Sequence, residues 1–526
     1  MLILIHFLLM ICLKHFAKGD HHDNPVCEMN ACQALEESLI QLTELADKMD
    51  ERNRTNDHLK KLERRLRSLE QPVWEIVKQD GKWMDCSKGL CKCKPETKTL
   101  SCWQQGILQL PSEQILPYDV RAIDLGINSL TTLNKDAFNG LSYLTELDLF
   151  DNQIDYLPSD VFIKLNSLVY LRLHKNRLEE LHFDLLKGLT NLRTFDASAN
   201  LIKILPGTLF RDSKNLILLH LSRNNLRDIP ETLFNKMEFL EDLDLSNNDL
   251  ETLPKFIFED LIALRRLHLA ENNITLLPTG IFDKPINLEL LNLRKNKITH
   301  LSEKLFSKLT NLKILQLTSN QISQISPNNF ISLTSLVELH LEQNFINELP
   351  ENVFIRNKEL EKLFLFSNNL EELKEKTFNG LVSLTSLFVN NNILKDVNSR
   401  IFVYTPSLQK LQLDSNKFHF LPAKIFDSLS GLVSVKLSKN PWHCDCNILY
   451  LSIWVDTNQN KLWDSDLSCR GPGDLGGRLL KDMTFDQLCE GQWASMMNLA
   501  PRVAIKQVET NVTKTDNLSV ADDATI

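Results

Sequence analysis

The sequence predicts an α/β solenoid: a horseshoe of about 14 turns of 24 residues with disulfide caps, preceded by an amphipathic, coiled-coil-like helix. Three observations predict it. Asparagines recur at 128, 152, 176, 200, 224, 248, 272, 296, 320, 344, 368, 392, 416 and 440, always 24 residues apart. Cysteines cluster just before and just after that array. Leucines at three- and four-residue spacing, with charged residues between them, fill the stretch ahead of the first cluster. A fixed period turns a 526-residue chain, which length alone would divide into several domains, into one elongated unit.

Residues 1–19 read as a secretory signal peptide. Leu2 to Leu13 is almost continuously apolar, too short to span a bilayer, and Ala17-Lys18-Gly19 offers small residues for cleavage. The tail, residues 492–526, is polar and lacks the hydrophobic end that a lipid anchor needs. The expected product is secreted and extracellular, without a membrane anchor. Its net charge of −9 argues against nucleic acid as a partner.

The N-terminal extension, residues 20–72, carries Leu35, Leu39, Leu42, Ala46 and Met49 at 4-3-4-3 spacing, and Leu59, Leu62, Leu66 and Leu69 at 3-4-3 spacing one register later, with Pro72 ending the run. Two short heptad seams predict an amphipathic helix that pairs with a copy of itself or with another subunit, or packs on its own horseshoe. Cys27 and Cys32, just ahead of it, either close a loop within one chain or staple two chains together.

With Cys12 removed in the signal, ten cysteines remain: Cys27 and Cys32; Cys86, Cys91, Cys93 and Cys102; and Cys444, Cys446, Cys469 and Cys489. An even, clustered count in a secreted chain reads as disulfides. Zinc competes for any four-cysteine cluster. Cys-x-Cys spacing, however, points the two side chains to opposite faces of an extended segment, which suits two bridges better than one tetrahedral metal. Residues 73–111 and 440–491 therefore form polar caps over the ends of the repeats, whose apolar core would otherwise be open. Asn53, Asn273, Asn511 and Asn517 head glycosylation sequons.

In the repeats, residues 112–439, each asparagine sits in a frame such as Leu144-x-x-Leu147-x-Leu149-x-x-Asn152-x-Ile154. This is the leucine-rich-repeat pattern. Positions −5 and −3 from each asparagine point inward from a short strand, and one strand per turn builds a parallel sheet. Asn152, Asn176, Asn200, Asn224, Asn248, Asn272, Asn296, Asn320, Asn344, Asn368, Asn392 and Asn416 are expected to form a buried polar column that satisfies backbone groups no ladder reaches. Ten residues after each asparagine stands a phenylalanine, from Phe138 to Phe426, with only Leu186 breaking the series. These rings predict a stacked core on the convex side.

Over residues 86 to about 491 the chain resembles extracellular leucine-rich-repeat proteins with cysteine-rich flanks, such as slit, the acid-labile subunit of the insulin-like growth factor complex and Toll-like ectodomains. The resemblance implies pairing of Cys86 with Cys93, Cys91 with Cys102, Cys444 with Cys469 and Cys446 with Cys489. It also implies matrix, receptor-ligand or innate-immune recognition. The helical extension departs from that family.

Positions −6, −4, −2 and −1 line the concave face. They give an acidic start (Asp124, Glu146, Asp148, Asp151), a basic patch (Arg172, His174, Lys175), an acidic pair (Asp242, Asp244) and then Arg266, Arg294 and Lys295. Farther on, Phe364, Phe366 and Phe388 stand on adjacent strands roughly 5 Å apart, flanked by Lys362 and Lys410. Aromatics ringed by polar groups are the usual anchor of a protein interface; packing beneath a glycan or the N-terminal helix is the alternative. His220, His268 and His340 share one column but are too widely spaced for a common metal, and read as surface histidines.

The chain has no His-Glu-x-x-His, no phosphate-cradling glycine loop and no Gly-x-Ser-x-Gly. A free Asp20-His21-His22 terminus offers the atoms of a copper chelate, but nothing else supports that use. The expected function is protein binding by a secreted, non-enzymatic chain without cofactor, acting through its concave face. The alternative is a non-catalytic carrier or stabilising subunit of a secreted enzyme or hormone complex. A homodimer or hetero-oligomer through the N-terminal helix fits either.

Overall fold

The computed structural model describes residues 55–77, 83–464 and 467–490. They fall into two compact units, one ending at Leu66 and one beginning at Arg67. In the first, residues from 55 onward are helical and Leu59, Leu62 and Leu66 are exposed. The helix runs on to residue 69 in the second unit. The earlier leucine seam, Cys27 and Cys32, and the sequons at Asn53, Asn511 and Asn517 lie outside the described residues.

The second unit is built on a 16-stranded sheet. The N-terminal cap starts it as a hairpin, Lys92–Lys94 antiparallel to Thr99–Ser101. Thr99–Ser101 then pairs in parallel with Ala122–Asp124, the strand of the first turn. From there every strand pairs in parallel with the next at a register of one turn, Leu147 beside Leu171 and Leu363 beside Leu387. Each strand is three residues long because its middle residue is a buried leucine or its equivalent, and the chain must turn at once to place the next inward leucine. The long connecting arms are mostly turns, with a short 3₁₀ helix at Ile401–Tyr404 and a two-residue parallel pair, Glu372–Leu373 beside Asp396–Val397.

The asparagine column explains how so short a strand ends. Asn248 Nδ2 donates to the carbonyls of Leu221 (3.1 Å), Leu245 (3.1 Å) and Ser246 (3.3 Å). Its Oδ1 accepts the N–H of Leu226 at 3.1 Å. Asn272, Asn296 and Asn320 repeat this pattern one turn at a time. Every asparagine of the column, from Asn128 to Asn440, is buried. The residue before each one takes a left-handed backbone, with φ of 55° at Asn247 and 53° at Lys295. No glycine stands at that position, so the column's hydrogen bonds hold ordinary side chains in a conformation they rarely adopt.

The convex phenylalanines are buried and stacked, Phe258 on Phe282 at 6.2 Å and Phe282 on Phe306 at 6.3 Å. Near Leu186, where the series breaks, Phe195 replaces the usual strand leucine and its ring meets Phe210 edge-on at 5.9 Å.

Bridges Cys86–Cys93 and Cys91–Cys102 lock the N-terminal cap, and Cys444–Cys469 and Cys446–Cys489 the C-terminal one. Buried Gln114 ties the first cap together, donating to Cys86 O at 2.7 Å and accepting Cys91 N–H at 3.0 Å. At the other end Trp442 stacks on Phe418 and the helix Leu449–Thr457 covers the last turn, with Trp454 against Phe426 at 4.5 Å. Tyr450 donates to Asp427 there, and burial pushes its hydroxyl up to about 12.

Candidate ligand-binding face

Because the register is one turn, residues 24 apart are direct neighbours on the concave sheet. In the first third this neutralises the basic patch. Arg172 reaches Glu146 at 2.7 Å and Asp148 at 3.1 Å. His174 lies 3.3 Å from Asp196 and stacks on Phe150, and Lys175 is 3.9 Å from Asp151. Arg172 and Lys175 therefore face acidic residues of the neighbouring turn and His174 lies beside Asp196, rather than forming an open basic surface. In the middle, Arg266 pairs with Asp242 at 2.7 Å and Lys295 with Glu271 at 2.9 Å.

Burial pushes the Asp148 carboxyl above its ordinary value, opposed by hydrogen bonds from the Phe150 N–H and Arg172. An acid raised in this way holds its proton more tightly folded than unfolded, so its contribution to stability falls as pH rises through that interval. Removing Arg172 widens the interval. Arg172→Ala is therefore expected to cost more stability at neutral pH than at a pH acid enough to protonate Asp148, where the pair no longer carries opposite charges. Thermal melting of both chains at the two pH values checks this, and an equal loss at both would contradict it.

The last third differs. His340, Phe364 and Phe388 occupy the −4 position of three successive strands. Their rings form one stack, His340 on Phe364 at 4.2 Å and Phe364 on Phe388 at 4.8 Å, with planes 10° and 2° apart. All three are half-buried, so the stack shows part of its surface to solvent. His340 was expected to be a plain surface residue; its ring instead begins the stack, held between Glu338 (3.5 Å) and Glu342 (3.2 Å). The 24-residue spacing of 340, 364 and 388 was the signal that could have found it. Phe366 is half-buried two residues beyond Phe364.

The flanking charges are not equivalent. Lys362 pairs with Glu338 at 2.7 Å and holds that carboxyl below its usual range. Lys410 is exposed, and no ion pair to it is found among the described residues. On the neighbouring −2 column Asp414 is buried and takes Lys436 at 3.4 Å. The arrangement is an aromatic step framed by fixed charges, which can receive an apolar or aromatic side chain and orient polar groups around it. Asn273, which heads the one sequon among the described residues, sits half-buried just past Asn272. Among the described residues no cluster of histidine, cysteine, aspartate and glutamate could hold a metal, and no helix is long and apolar enough to cross a membrane.

The leucine rich repeat family matches residues 119–178, 190–250, 214–274, 238–294, 286–346 and 334–394, together just over half of the chain. The chain belongs to the leucine-rich-repeat family. Among its leucine-rich-repeat relatives, mouse SLIT and NTRK-like protein 4 is 37% identical over 54 residues, 10% of this chain and 6% of that protein. Mouse carboxypeptidase N subunit 2 is 37% identical over 49 residues, 9% of each chain. The chain thus matches only short stretches of these relatives' lengths. A chain in the glycosylated form of the Drosophila Toll–Spatzle complex superposes with a TM-score of 0.62 at 25% identity, covering 74% of this chain and 58% of that one. Membership supports a protein-binding role, and the cap disulfides favour an extracellular setting.

Proposed function

We propose that this is a secreted, non-catalytic leucine-rich-repeat protein that binds an extracellular protein ligand in receptor-ligand, matrix or innate-immune recognition. The His340–Phe364–Phe388 stack carries the reading. Three stacked, near-parallel rings with exposed surface, set in a face where Arg172 and Arg266 are held in ion pairs, are where a partner gains most by excluding water. Phe366 and Lys410 extend the anchor, Lys362 fixes its edge, and the paired Arg172, His174 and Lys175 serve as rim. A glycan on Asn273 would lie beside the middle turns and leave the stack open. Likeness to a chain of the Toll–Spatzle complex supports recognition of an extracellular protein.

The test is affinity capture from extracellular fluid by the immobilised full chain and by a Phe364→Ala/Phe388→Ala variant. A polypeptide held by the first and lost by the second supports the reading; identical retention by both would sink it.

The likeness to carboxypeptidase N subunit 2 favours a second reading, a stabilising subunit for an unlike secreted chain joined through the N-terminal helix. In that case the full chain alone would be monomeric and would acquire mass only from its partner.

A further inference from the structure

The geometry points to a second copy of this chain as the occupant of the N-terminal leucine seam, paired parallel and in register. Leu59, Leu62, Leu66 and Leu69 are 54%, 48%, 60% and 56% exposed, a continuous apolar stripe on a charged helix. Solvent-facing leucines at heptad spacing are costly unless covered. The contacts that begin at Arg67 leave Leu69 exposed. Arg67 pairs with Asp155, and the Ser68 hydroxyl, 2% exposed, donates to Leu133 O at 2.8 Å. Asn134 Nδ2 donates to Leu69 O at 3.2 Å and Gln71 O at 2.9 Å. At about 100° per residue, Arg67 and Ser68 lie on the side of the helix opposite the leucine stripe. At its C-terminal end the helix is therefore held by the side that bears Arg67 and Ser68, while Leu69 stays exposed.

The residues bordering the seam select the partner. With Leu59 and Leu66 at the a positions and Leu62 and Leu69 at d, the g positions are His58 and Arg65 and the e positions are Glu63 and Glu70, all exposed. In a parallel pair, g of one helix faces e of the next heptad on the other, so Arg65 meets Glu70 and His58 meets Glu63, twice over by symmetry. An antiparallel pair would set g against g and e against e, placing like charges together. The sequence pattern of Leu35, Leu39, Leu42, Ala46 and Met49 continues a seam of the same kind toward the N-terminus. Such a dimer joins two concave faces in one particle, which raises avidity for repeated ligands without any new ligand contact. The inference rests on reading the helix as an assembly element and not on the identity of the ligand.

Light scattering on the full secreted chain, in a Cys27→Ser/Cys32→Ser background that removes any covalent link, tests it. The expected mass is that of a dimer. Glu63→Lys/Glu70→Lys should raise the dimer dissociation constant about tenfold or more by making both Arg65–Glu70 contacts repulsive and removing both His58–Glu63 contacts. Adding His58→Glu/Arg65→Glu to that variant should restore dimerisation. A monomer at all concentrations, a dimer indifferent to Glu63→Lys/Glu70→Lys, or assembly only with an unlike polypeptide would each overturn the proposal. The substitutions keep good helix formers on an exposed surface, and circular dichroism verifies that the helix persists. Capture by the Phe364→Ala/Phe388→Ala chain reports on the concave face alone, so failure of one reading is distinguishable from failure of the other.

Discussion

Asn248→Ala is expected to lower the stability of the repeat array by about 2–5 kcal/mol and to split its melting into more than one step. The loss has two sources. The Leu226 N–H and the carbonyls of Leu221, Leu245 and Ser246 each lose a buried partner at once, and a water entering the space the carboxamide leaves has only two protons for three carbonyls. The left-handed backbone at Asn247, φ 55°, also loses the bonds that hold it. A solenoid's turns touch only their neighbours, so a weak turn in the middle divides the cooperative unit in two. Asn248→Asp keeps the acceptor but sets a carboxylate against three carbonyls, and should be at least as damaging. Calorimetry of the full chain checks both; a single transition with unchanged midpoint would contradict the column's role.

Phe364→Ala is expected to weaken ligand binding by about 2 kcal/mol or more, roughly thirtyfold in affinity. Phe364 is the middle ring, so its loss separates His340 from Phe388 and leaves a gap in the step rather than a shorter one. Its half-exposed ring contributes less to the core than Phe258, so the melting temperature should move far less than with a buried phenylalanine. Titration of the captured polypeptide against both chains measures this. Unchanged affinity would move the anchor elsewhere.

The repeat was legible because its signals are local and periodic: the asparagine, the two inward leucines and the convex phenylalanine recur in every turn. What escaped depends on contacts between turns or outside the period. The neutralisation of Arg172 and the stacking of His340 follow only when residue i is set beside i+24, and reading each strand by itself hides both. Gln114 carries no periodic signal, yet it satisfies both Cys86 and Cys91 in the first cap. The left-handed residue before each asparagine is invisible because Asp151, Lys175, Ala199 and Arg223 share no side-chain chemistry; the turn that follows imposes the conformation. The helix was expected from leucine spacing, but its two-sided character was not, since nothing in the sequence marks Arg67 and Ser68 as docked.

The most direct test of the central claim is oxidative footprinting of the full chain with and without the captured ligand. Protection of His340, Phe364, Phe366 and Phe388, with the exposed rings of Phe256 and Phe345 unchanged, is the predicted result. Protection centred on Phe256, Phe345 or the caps, with the stack still open to oxidation, would contradict a concave-face anchor.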